Sequence, residues 1–148
     1  MADRQRVMVR VALGYFALST GYLAVWILAA PQGFYDAFPT GPAEWVSALP
    51  PYNEHILRDF GAAALGLTVL AVLAAVWLER RLVQATAVAF LVYSLPHLAY
   101  HLTTTERYST SDNVQSLIGL ALPIAISLYL LAVTRRPAAA GARAGAPA

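Results

Sequence analysis

The chain has 148 residues, of which 59% are hydrophobic and only 12% charged. An ordinary soluble domain carries about 25% charged residues, so too little polar surface remains to solvate a globule of this size. Cysteine is absent, which excludes disulfides, thiolate metal sites and thiol redox chemistry, and a net charge of +2 gives no footing for nucleic acid.

Residues Met1–Arg10 form a basic lead-in to the first apolar run, Val11–Ala30. A cleaved signal peptide is the competing reading, since Leu28-Ala29-Ala30 superficially fits a cleavage site. The run is longer than the roughly 7–15 residues of a signal core, and an uncleaved helix is expected. The segment 31–53 follows, with five prolines and the aromatics Phe34, Tyr35, Phe38, Trp45 and Tyr52. Its prolines and glycines argue against a long helix, while Ala43–Leu49 has room for one or two turns with Trp45 at headgroup level. It is expected to cap the outer end of a helix bundle.

Three more apolar runs follow at Ile56–Leu78, Leu82–Leu102 and Val114–Val133. A hydrocarbon core about 30 Å thick needs roughly 20 helical residues, and every run meets that length. In lipid each backbone polar group must be satisfied within its own segment, which makes these runs helices. The predicted fold is therefore an all-α membrane protein, a four-transmembrane-helix bundle occupying residues 1–136. Glu79-Arg80-Arg81 makes a tight turn, so the second and third runs form an antiparallel hairpin. Thr103–Asp112 is a polar loop with Ser109, Ser111 or Asp112 available as a cap, and Pro96 and Pro123 are expected kinks. The alanine-rich tail 137–148 cannot bury a core and is expected to be disordered.

All ten basic residues are arginine, which reads as the codon usage of a GC-rich bacterium. If the chain crosses four times, Arg4, Arg6, Arg10, Arg80, Arg81, Arg135, Arg136 and Arg143 share one side. The opposite side holds Arg58 and Arg107 with Asp36, Glu44, Glu54, Asp59, Glu106 and Asp112. The positive-inside rule then places both termini in the cytoplasm of a multi-pass plasma-membrane protein.

Small residues point to close helix approach, with Ala62/Gly66 and Ala71/Ala75 as small-xxx-small pairs on the second run. Polar residues gather at the outer ends. His55 and Asp59 share a stripe with Ala62 and Gly66, and Glu54 and Arg58 are also four apart. On the third run Tyr93, His97 and His101 share a stripe with Tyr100 beside it. Should the two stripes face each other, His55, Asp59, His97 and His101 meet in one small volume, supported by Glu54, Arg58, Tyr93 and Tyr100. Three imidazoles and a carboxylate suit a divalent transition metal. Haem held by His55 with His97 or His101 is a second chemistry, and acid–base work by His55 oriented on Asp59 a third. The alternative is a non-catalytic membrane subunit or lipid-interacting protein whose polar residues are helix caps and ion pairs. The bilayer is the expected partner, with a homo-oligomer or a membrane partner subunit left open.

At Arg58-Asp59-Phe60-Gly61-Ala62-Ala63-Ala64-Leu65-Gly66-Leu67 the chain resembles small bacterial four-helix membrane proteins of the broad DoxX-like group. The resemblance implies a membrane redox accessory role linked to quinone or thiol systems. The thiol version conflicts with the absence of cysteine, and the resemblance transfers no catalytic residue.

Overall fold

The computed structural model describes residues 3–39, 45–49 and 51–135. It is helical: α1 spans Asp3–Ala29, α2 Pro31–Ala37, α3 Glu54–Trp77, α4 Arg80–Leu102 and α5 Thr110–Val133, with a 3-10 turn at Thr105–Arg107. No strand occurs among the described residues. Four of the helices, α1, α3, α4 and α5, are long and apolar enough to cross a membrane. The predicted tail 137–148, with Arg136 and Glu44, lies outside the described residues.

Each spanning helix starts before its apolar run, because the run marks hydrocarbon and the helix continues into the headgroups. The starts are set by side chains that satisfy orphan N–H groups. Asn53 accepts from the Ile56 N–H (3.2 Å), Glu79 from Leu82 (2.7 Å) and Ser109 from Asp112 (3.1 Å). Between α1 and α2, Pro31 disfavours helical backbone at Ala30, which adopts φ −148°, and itself occupies the first turn of α2. The seven-residue α2 was not anticipated from the sequence, where its Pro and Gly read as helix breakers. Pro at a first helical position loses only an N–H that has no partner there. α3 ends at Leu78 in the left-handed region (φ 51°), a conformation held by burial of its side chain.

The bundle is two tight antiparallel pairs. α1 packs chiefly on α3 and α4 on α5, while α3–α4 and α1–α5 meet more loosely. In the first pair the backbones approach at Gly61, where a Cβ would stand 2.8 Å from Ile27 Cγ2. The Thr20 and Thr68 hydroxyls bond across it at 2.9 Å. Arg58 donates to the Leu28 carbonyl (3.0 Å) at one end and Arg10 to Ala75 (3.3 Å) at the other. In the second pair Arg80 and Gln84 both donate to the Thr134 carbonyl. Gln5 donates to Val133 and ties α1 to α5.

One end of the bundle therefore gathers Arg4, Arg6 and Arg10, the turn carrying Arg80 and Arg81, and Arg135; the other end holds the three histidines. The core fills the half nearer the arginines, with Val9, Leu13 and Phe16 of α1 against Ala71 and Ala74 of α3, Val83, Ala87 and Phe90 of α4, and Leu130 of α5. Phe16 and Phe90 stack at 3.8 Å between ring centres, 4° from parallel. Beyond them, toward the histidines, the pairs enclose a cavity.

Candidate functional site

The cavity has a volume of about 630 Å³, within the range of small-molecule pockets. Its floor is the Phe16–Phe90 stack. α1 contributes Tyr15, Ser19, Tyr22 and Leu23, α3 Leu57 and Phe60, α4 Tyr93, Ser94, His97 and His101, and α5 Ser116, Gly119, Leu120 and Pro123. The segment after α1 closes the far side with Phe34, Phe38, Trp45, Val46 and Leu49.

That closure is fastened to both helix pairs. Phe34 is buried against Trp26 at the end of α1, with rings 5.5 Å apart and at right angles. The Trp45 indole N–H donates to Asp112 of α5 (3.0 Å), and the Tyr108 hydroxyl donates to the Trp45 carbonyl (2.8 Å). Burial pushes the Tyr108 phenol above its ordinary pKa, so it keeps the proton this bond requires.

Three of the sequence-predicted residues line the space: Tyr93, His97 and His101. The His97 and His101 rings sit 5.0 Å apart on successive turns, Tyr93 lies 5.5 Å from His97, and Tyr108 stacks on His101 at 5.9 Å. The stripe on α4 is a cavity wall. Tyr100 stands edge-on to His101 but is exposed and outside the lining.

The stripe on α3 points elsewhere, which corrects the expected four-residue cluster. His55 and Asp59 contact each other at 3.4 Å, with 85% and 69% of their side-chain surfaces exposed. Glu54 and Arg58 pair at 2.7 Å on the surface. Among the described residues no three His, Asp or Glu side chains come close enough to hold one metal ion. The quartet His55, Asp59, His97 and His101 is therefore not brought together as a metal-holding group among the described residues, and His55 does not join His97 and His101 at the cavity wall. The physical reason is the choice of face. α3 buries Gly61, Ala64, Ala71 and Ala74, whereas Ala62 and Gly66, on the stripe of His55 and Asp59, face outward. Of the two small-residue pairs, only Ala71/Ala75 packs into the core.

The sequence reading did not single out Phe16, Phe90, Ser94, Ser116 and Gly119. A signal existed in α1, where Tyr15, Ser19 and Tyr22 recur at helical spacing. Ser94 is 3% exposed and lines the cavity. Pro123 lacks an N–H and so removes the helical donor that the Gly119 carbonyl would otherwise have.

The site thus offers aromatic and aliphatic walls, two adjacent imidazoles, hydroxyls and a freed carbonyl. Among the described residues no Asp, Glu or Arg lines it. Compared with known protein families, with curated proteins and with solved structures, the chain matches none.

Proposed function

We propose that this multi-pass protein resides in the plasma membrane with both termini cytoplasmic and holds a small lipophilic ligand in the cavity at its outer face. The observation that carries this reading is the cavity itself, an apolar space between two helix pairs, floored by the Phe16–Phe90 stack and walled by His97 and His101. A concave, largely apolar space with a few convergent polar groups is the usual form of a small-molecule site. The polar residues of α3 have a structural role instead. Asn53 caps the helix, Glu54 pairs with Arg58, and Arg58 anchors α3 to the Leu28 carbonyl.

The test uses purified protein in lipid nanodiscs and aminoanthracene, an uncharged fluorescent apolar probe. Saturable binding above that of empty nanodiscs is expected. Gly119→Leu and Leu120→Trp place extra volume at the cavity wall and should abolish it. A Cβ at Gly119 meets nothing within 4 Å, so the first variant leaves the backbone undisturbed. Absence of saturable binding, or equal binding by both variants, would overturn the reading.

A further inference from the structure

We infer that the occupant is an uncharged single-chain lipid with a hydroxyl head, a fatty or isoprenoid alcohol, whose head lies between His101 and α5 and whose chain runs to the Phe16–Phe90 floor; this rests on the cavity reading above.

The charge of the head follows from the walls. Among the described residues no carboxylate or guanidinium lines the cavity, and the two arginines at this end are engaged outside it. Arg58 pairs with Glu54 and the Leu28 carbonyl, and Arg107 lies beside Glu106. A carboxylate, phosphate or ammonium head would enter a low-dielectric space without a counter-charge, which is costly. An uncharged head meets no such penalty.

The hydroxyl follows from the polar atoms. Nδ1 of His101 is buried and has no hydrogen-bond partner. Buried orphan N–H groups are rarer than unpaired acceptors, so the ring proton is assigned to Nε2. His101, a lining residue, then carries its donor on Nε2. Gly119 of α5 also lines the cavity, and Pro123 leaves its carbonyl without the usual helical N–H, an acceptor that is available. The antiparallel register set by Gln84 on Thr134 brings Gly119 to a depth between those of His97 and His101. A hydroxyl accepts from one group and donates to the other. A carbonyl or ether head satisfies only the donor.

The chain follows from the shape. From His101 down to Phe90 is a stretch of α4 roughly 16 Å long at 1.5 Å per residue. Along it the walls are Tyr15, Leu23, Phe60 and Tyr93, and the stacked rings close the bottom. A space of that length, with the two imidazoles at one end and mostly aromatic and aliphatic walls below them beside the hydroxyls of Ser19, Thr20 and Ser94, takes a single chain with one polar terminus.

The experiment displaces aminoanthracene from the nanodisc protein with lauryl alcohol, laurate and dodecane, each expressed as mole fraction in the bilayer. Lauryl alcohol should displace the dye at a roughly five- to tenfold lower mole fraction than dodecane, the increment of a net hydrogen bond, and laurate should be the weakest of the three. In His101→Phe the alcohol should fall to the level of dodecane, and His97→Phe reports whether the second imidazole shares the contact. Laurate matching or exceeding the alcohol, an alcohol no better than dodecane, or an unchanged preference in His101→Phe would overturn the inference. Dye binding without head preference defeats the hydroxyl assignment alone, whereas no saturable dye binding defeats the cavity reading and this inference together.

Discussion

At the level of single residues, the two glycines of α3 that look alike in sequence have opposite surroundings. A Cβ at Gly61 would come within 2.8 Å of Ile27 Cγ2 and 3.1 Å of Leu28 Cγ, and Ile27 is fully buried and cannot yield. A Cβ at Gly66 would meet nothing within 4 Å. Gly61→Val should therefore destabilise the protein by about 1–3 kcal/mol, the usual cost of overpacking, while Gly66→Val should sit close to wild type. Thermal unfolding of both variants in nanodiscs compares the same chemical change on the same helix. Equal midpoints would show that α1 and α3 do not meet at Gly61. The distinction was invisible in the sequence because small residues occur on both faces of α3, so Ala62/Gly66 carried as good a motif as Ala71/Ala75. Which of them packs depends on the partner helix, and lipid is as apolar as the core.

The elements themselves were legible and their pairing was not. Length and apolarity were enough to place α1, α3, α4 and α5, because a bilayer demands about 20 helical residues and complete internal hydrogen bonding. Exposed Leu18, Val25, Val69, Val92 and Ile118 are as hydrophobic as the buried positions, so periodicity marked no inward face. The short turn from α3 to α4 suggested a close hairpin, yet α3 found its main partner in α1 and α4 in α5. That difference separates His55 and Asp59 from the cavity that His97 and His101 line. The turn works through its caps: Leu78 closes α3 in the left-handed region and the Glu79 carboxylate accepts the Leu82 N–H at 2.7 Å. The backbone N–H of Leu82 holds the Glu79 carboxyl below its ordinary pKa, with Arg81 and Arg80 acting in the same direction. A group whose folded pKa is depressed contributes stability above its unfolded pKa and loses it as pH falls through the folded value. Glu79→Ala should accordingly lower the unfolding midpoint at neutral pH. The gap from wild type should close as pH drops below the carboxylate range. A gap that stays constant down to acid would show that the cap does not depend on the carboxylate charge.

For the whole molecule, the fold turns a scattered sequence feature into a physical polarity. The lead-in of α1, the α3–α4 turn and the end of α5 are joined by bonds from Gln5 to Val133 and from Arg80 and Gln84 to Thr134. One end thus carries Arg4, Arg6, Arg10, Arg80, Arg81 and Arg135. The other carries Asp36, Glu54, Asp59, Glu106 and Asp112 with only Arg58 and Arg107 among the described residues. Arginines in short loops near membrane helices are retained on the cytoplasmic side, whereas acidic residues contribute little to orientation. The arginine end should therefore face the cytoplasm, and the cavity with His97 and His101 should open in the outer leaflet. A periplasm-active reporter fused after Ala148 should be silent, and the same reporter inserted between Thr40 and Ser47 should be active. Exchanging Arg4, Arg6 and Arg10 for glutamine should weaken this contrast, because it removes half of the described arginines at that end while leaving every apolar run intact. An active reporter at Ala148 together with a silent one in the 40–47 segment would invert the molecule and move the cavity to the inner leaflet. Activity at both sites would put them on the same side of the membrane and so reject the odd number of crossings, α3, α4 and α5, between them, and with it the four-span topology.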